Sequence, residues 1–64
     1  MRFRIETMTC GGCARSVTKT IQKVDPAAEV RIDVDARSVE VQSTASPAAL
    51  ASALDAAGFP AVAA

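Results

Sequence analysis

The chain carries no histidine, tryptophan or tyrosine, and only two phenylalanines among its 64 residues. Aliphatic side chains must supply nearly all of the burial, and in so short a chain the core they build is thin. Half of the residues are hydrophobic, but many of these are alanines that contribute little each. No charge sign is in excess: seven Lys and Arg balance seven Asp and Glu, with neither a basic tail nor an acidic run. A nucleic-acid partner would call for a net basic face with stacking aromatics, so none is expected. No apolar run approaches the length of a membrane span, so no direct insertion is expected. The charged Met1-Arg2-Phe3-Arg4 start leads into alternation rather than into the apolar stretch of a signal peptide. The default compartment is therefore cytoplasmic, where thiols are kept reduced.

Cysteine is scarce as well, and where it occurs is informative. Both cysteines and two of the three glycines fall in Met8-Thr9-Cys10-Gly11-Gly12-Cys13. This stretch lies where one hydrophobic period gives way to another. Before it, Phe3 and Ile5 alternate with Arg2, Arg4 and Glu6, which predicts a half-buried strand over 2–7. After it, Ala14, Val17, Ile21 and Val24 recur at helical spacing, which predicts an amphipathic helix from about Cys13 to Val24. Asp25-Pro26 ends that helix, since a proline disfavours helical geometry in the residue before it.

Farther on, Val30, Ile32 and Val34 alternate with Arg31, Asp33 and Asp35 to give a second strand, and Val39 and Val41 mark a third. The brief turn at Asp35-Ala36-Arg37 makes the two an antiparallel hairpin. Ser46-Pro47 is a helix start, a serine N-cap with proline at the first helical position. Leu50, Ala51, Leu54 and Ala57 form the buried stripe of that helix, and Gly58 is its left-handed terminator. Residues 59–63 leave room for one short final strand at a sheet edge, as their proline requires. The order βαββαβ, with one apolar face per strand and two helices, specifies an α+β ferredoxin-like sandwich. It has a four-stranded antiparallel sheet and both helices on one face. Arg2, Arg4, Asp33 and Glu40 fall on the outer, charged face. The length leaves room for one domain, residues 1–64.

Two residues between the cysteines let both sulfurs converge on one point. Gly11 and Gly12 remove side-chain bulk and permit unusual backbone angles. The second cysteine opens a helix, whose free N–H groups and dipole favour thiolate over thiol. Thiolates at such a place serve as metal ligands or as redox nucleophiles. Structural zinc wants four ligands, and this chain offers two cysteines, no histidine, and Thr9 rather than a carboxylate beside Cys10. Two soft thiolates suit a d¹⁰ ion of low coordination number; Cu(I) is the physiological candidate, and Hg(II), Ag(I) and Cd(II) share its softness. A two-coordinate ion also leaves space for an incoming third thiolate, so the pattern points to transport rather than catalysis. A structural disulfide, two incidental core thiols and a small thiol–disulfide redox protein are the alternatives that the residues themselves leave open.

With its Met-x-Cys-x-x-Cys motif after a first strand, in this length and element order, the chain resembles the heavy-metal-associated domain over essentially its whole extent. That family includes soluble copper chaperones, the amino-terminal metal domains of copper-exporting P-type ATPases, and mercury-scavenging relatives. The resemblance implies that Cys10 and Cys13 are the metal ligands and that Met8 is a core residue beneath the loop. It implies that Phe59, in the loop before the last strand, lies near the metal. It also implies a metal-transporting P-type ATPase or its soluble metal-binding domain as partner, often with an acidic docking face. Arg15, Lys19 and Lys23, spaced along the exposed side of the first helix, are the candidate docking row against a solvated face of no further role. Thr7 departs from the glycine that many members carry before the methionine, and no histidine separates the cysteines.

The expectation is a non-enzymatic Cu(I) metallochaperone, with a mercury carrier of the same fold and a redox protein as alternatives. The apo form is expected as a monomer, and exposed thiolates allow a metal-bridged homodimer. A detached regulatory domain of a P-type ATPase is the remaining rival; the short chain, ending after its last strand, favours a free-standing protein.

Overall fold

The structure, a computed structural model, describes residues 1–9 and 11–63. Its elements are β1 (Arg2–Arg4), α1 (Gly11–Val24), β2 (Glu29–Asp33), β3 (Ser38–Gln42), α2 (Pro47–Ala56) and β4 (Val62–Ala63). The sheet runs in the order β2-β3-β1-β4 with every pair antiparallel, the ferredoxin-like arrangement that the element order predicts.

The inward residues of the sheet are those that alternation selected. Phe3, Ile5, Val39 and Val41 are buried, and with Val17 and Ile21 of α1 and Leu50 and Leu54 of α2 they form a single core. Met8 and Ala28 complete it. Both helices contribute to this one cluster, so both cover the same face of the sheet. The opposite face carries Arg2, Arg4, Asp33 and Glu40, all exposed, with Arg2 and Glu40 paired at 3.5 Å. Among the described residues no helix is long and apolar enough to cross a membrane.

Several boundaries differ from the sequence pattern. The first strand ends at Arg4 rather than Thr7. Ile5 is still buried and its N–H still donates to the Arg37 carbonyl at 2.9 Å. The chain then turns at Glu6-Thr7, closed by the Met8 N–H on the Ile5 carbonyl at 3.2 Å. The hairpin loop spans 34–37, so Val34 leaves the strand. Asp33 takes over the turn by accepting from the Ala36 N–H at 3.1 Å, an Asx arrangement that competes with strand geometry. Arg37 closes the loop with φ +54°.

α1 begins at Gly11, two residues before the predicted Cys13, and stops where Asp25-Pro26 requires. The Asp25 carboxylate then ties this corner to the segment before α2. It accepts from Ser43 Oγ at 2.6 Å, the Ala27 N–H at 3.0 Å and the Thr44 N–H at 3.3 Å. These bonds, Ser43 foremost, hold its pKa below the ordinary 3.8.

Ser46 caps α2 through the Ala49 N–H at 3.1 Å, with Pro47 at the first helical position. At the far end Gly58, φ +90°, turns the chain. Its N–H reaches the Asp55 carbonyl at 3.0 Å, and the Phe59 N–H reaches that of Leu54 at 2.8 Å. This is a Schellman cap, in which glycine carries the left-handed residue without a Cβ penalty. Two residues of the expected stripes are exposed, Val24 and Ala57. Val24 is the last residue of α1 and Ala57 the C-cap of α2, both past the edge of the core.

Candidate metal centre

Three chain segments converge on the end of the sheet where β1 runs out. The β1–α1 connection starts there. β3 begins there, because Arg4 is in register with Ser38. β4 begins there too, because Arg4 is in register with Val62, so the 58–61 segment arrives at the same place. The fold thus brings the motif at 8–13 and the Phe59 loop to one end of the molecule.

Met8 is fully buried in the core, as expected of a residue that supports the loop from beneath. Cys13 lies in the first turn of α1, as its third residue rather than its first. It is half-buried and packs against the core. No acidic residue occupies that first turn, so the partial positive charge of the helix N-terminus is not offset locally. Cys10, the other candidate ligand, lies outside the described residues. Among the described residues, no group of three or more His, Cys, Asp or Glu side chains is placed to hold a metal ion.

Gly11 corrects the sequence reading. It is helical and exposed, and a Cβ built on it would meet nothing within 4 Å. Neither bulk nor backbone angle demands glycine there.

Phe59 is half-buried and packs against the core, positioned by the Schellman cap at Gly58. Arg15, Lys19 and Lys23 are all exposed on α1, as their spacing predicts. Arg15 and Lys19 also border an open groove between α1 and β2, whose other walls are Ala14, Thr18, Val30 and Ile32.

One feature beside the loop had no local signature. Glu6, in the turn that leads to Met8, accepts from the Arg4 guanidinium and from Arg37 Nη1, the latter at 3.2 Å. The two arginines, Arg4 first, hold the Glu6 carboxyl below its ordinary value of 4.5. Arg37 is separated from Glu6 by 31 positions, and only the register of β1 on β3 makes them neighbours. Exposed pairs of this kind contribute little stability singly. Here they join the hairpin loop to the segment that feeds the cysteine motif.

Comparison with known proteins gives a consistent picture. A family model described as the heavy-metal-associated domain matches residues 2–60. The copper transport protein ATOX1 homolog of Dictyostelium discoideum is 35% identical over 37 residues, 58% of this chain and 55% of that protein. The chain thus spans about half the length of the curated relative it matches. Among solved structures, a gold binding protein superposes with a TM-score of 0.93 at 49% identity, over 95% of this chain and 94% of that one. The copper chaperone Atx1 from Synechocystis PCC6803 superposes with a TM-score of 0.94 at 29% identity, over 97% and 98% of the two chains.

Proposed function

The chain belongs to the heavy-metal-associated domain family, and from that premise we propose that it is a carrier of Cu(I), held by the thiolates of Cys10 and Cys13. The observation that supports this most is the placement of the motif. Cys13 sits in the first turn of α1, above a fully buried Met8, at the end of the sheet where three segments meet. A sequence with no histidine and no further cysteine limits the thiolate and imidazole ligands to two, which suits a soft d¹⁰ ion.

Transfer follows from low coordination. A thiolate of an acceptor's cysteine pair bonds to the ion, one bond to this chain's cysteines breaks, and a second exchange completes the handover. The metal keeps its oxidation state and no free ion is released. The acceptor we assign is a metal-transporting P-type ATPase or its soluble metal-binding domain, met in a reducing cytoplasmic compartment. The protein acts as a carrier rather than an enzyme. Phe59 shields the metal side of the loop, and the Arg15, Lys19 and Lys23 row steers encounter with an acidic partner. Sharing of one ion between two copies through their exposed loops gives a metal-bridged dimer from an apo monomer.

The experiment is titration with Cu(I) against a competing chelator under reducing conditions. One equivalent is expected to bind tightly, and neither Cys10→Ser nor Cys13→Ser retains that affinity. Full affinity in both variants overturns the assignment, and turnover in a disulfide-reductase assay would move the protein to the redox class.

A second reading has its own observation. The gold binding protein, at 49% identity, binds another soft ion by its description. Au(I) and Hg(II) present the same linear, thiolate-preferring chemistry as Cu(I). Competition between these ions and Cu(I) for the reduced protein decides which is the cargo.

A further inference from the structure

Flanking the cysteine motif, the side of the fold that carries β2 combines three features. The first is an open ladder. The Val41 N–H donates to the Met1 carbonyl at 2.8 Å and the Ile5 N–H to the Arg37 carbonyl at 2.9 Å, so odd-numbered residues of β3 turn their polar backbone toward β1. Ser38, Glu40 and Gln42 therefore turn theirs toward β2. In the observed register their partners are Asp33, Arg31 and Glu29. Val30 and Ile32 are left to direct their N–H and C=O groups outward, and β2 is the outermost strand.

The second feature is an apolar floor. The Val30 and Ile32 side chains lie on the inner face, half-buried against the core. They line the groove of about 380 Å³ beneath α1, together with Ala14 and Thr18. The Thr18 hydroxyl donates to the Ala14 carbonyl at 3.0 Å, so its hydrogen bond is met within the helix. The third is charge: Arg15 and Lys19 border this groove, and α1 contains no acidic residue.

We propose that the β2 edge and the α1–β2 groove form a docking site for an extended acidic segment of a partner protein, added as a strand alongside β2. Its backbone pairs with Val30 and Ile32, an aliphatic side chain fills the groove, and its carboxylates meet Arg15 and Lys19. Strand addition of this kind takes affinity from the ladder and specificity from the side chains on the groove side. A second copy of this chain fits poorly. Paired edge to edge, it would set its own Arg15 and Lys19 against these, with no carboxylate on either α1 to offset them. The inference does not rest on the identity of the cargo, and its test is made without metal.

The test is an amide chemical-shift titration of the reduced, metal-free full chain with the peptide acetyl-Ser-Glu-Thr-Val-Thr-Glu-Ser-amide. Saturable shifts are expected at residues 14–19 and 29–33. With peptide at about ten times its Kd, hydrogen exchange at Val30 and Ile32 should slow about tenfold. Arg15→Glu combined with Lys19→Glu should weaken binding by at least about tenfold, and a peptide with lysine in place of glutamate should not bind. Methylating the peptide's central amide nitrogen removes a ladder donor and should abolish binding. The proposal is overturned if the methylated peptide binds equally well, or if no saturable shift appears up to about 1 mM peptide. Shifts confined to other residues overturn it as well. So does concentration-dependent pairing of the protein alone through 29–33, which would assign the edge to a second copy.

Discussion

Arg37 holds the Glu6 carboxylate at 3.2 Å while its own backbone sits at φ +54°, so one residue both closes the hairpin loop and grips the approach to the cysteine motif. The left-handed conformation costs a non-glycine residue energy, and the side-chain pair and the Ile5 hydrogen bond persist in spite of it. Replacement separates the two roles. Arg37→Gly is expected to be more stable than Arg37→Ala by about 1 kcal/mol, since both lose the guanidinium and only alanine keeps the backbone strain. Urea unfolding of the two variants measures the difference.

Glu6 and Asp25 link folding to acid in the same sense. Their folded pKa values lie below the ordinary 4.5 and 3.8, so the unfolded chain takes up protons first as pH falls. The stability they contribute is complete above those ordinary values and is lost as pH drops through the lower, folded ones. Wild type should lose stability across that acidic window more steeply than Glu6→Gln or Asp25→Asn. Urea midpoints measured from neutral pH down to about pH 2 supply the comparison. Parallel curves would show that neither carboxylate is coupled to folding.

Met8 supports the loop by volume. Met8→Ala should cost roughly 2–5 kcal/mol, as removal of a buried large side chain does. Met8→Leu, which conserves volume, should cost less than about 1.5 kcal/mol and leave Cu(I) affinity unchanged. A fall in affinity with leucine would make the thioether a ligand.

The two glycines at the ends of helices should respond in opposite directions. Gly58→Ala forces a Cβ into φ +90° and is expected to cost about 1 kcal/mol and to loosen Phe59. Gly11→Ala meets open space in a helical residue and should be neutral or stabilising by up to about 1 kcal/mol. Thermal melts of both, with a Cu(I) titration of the second, check the pair.

Much of the architecture was legible because it is written locally. Alternation selected Phe3, Val39 and Val41 for the core, Ser46-Pro47 marked the start of α2, and Gly58 marked its end. Less legible was where each element stops. Val24 and Ala57 continue their helical stripes in the sequence, yet the small sheet leaves nothing for them to cover. Val34 continues the alternation of β2, but the Asp33 side chain bonds to the turn and ends the ladder one residue earlier. At the site, the structure places Cys13 in the first turn of α1, while Cys10 lies outside the described residues and its pairing with Cys13 remains a reading of their spacing. The grip of Arg37 on Glu6 does not, since it depends on the register of two strands far apart in the chain. The role assigned to Gly11 was inferred from residue type alone, and a helix that begins at that residue removes the need for it.

The order β2-β3-β1-β4 puts the strand that feeds the cysteine motif between two others instead of at a margin. The strand that leads into the motif is therefore hydrogen-bonded to a neighbour on each side, β3 on one and β4 on the other. If the protein carries an ion as proposed, exchange there would call only for local opening, while the amides of Phe3 and Ile5 keep the protection of the folded sheet. On the carrier function proposed above, loading and unloading would then draw on the loop and leave the core closed.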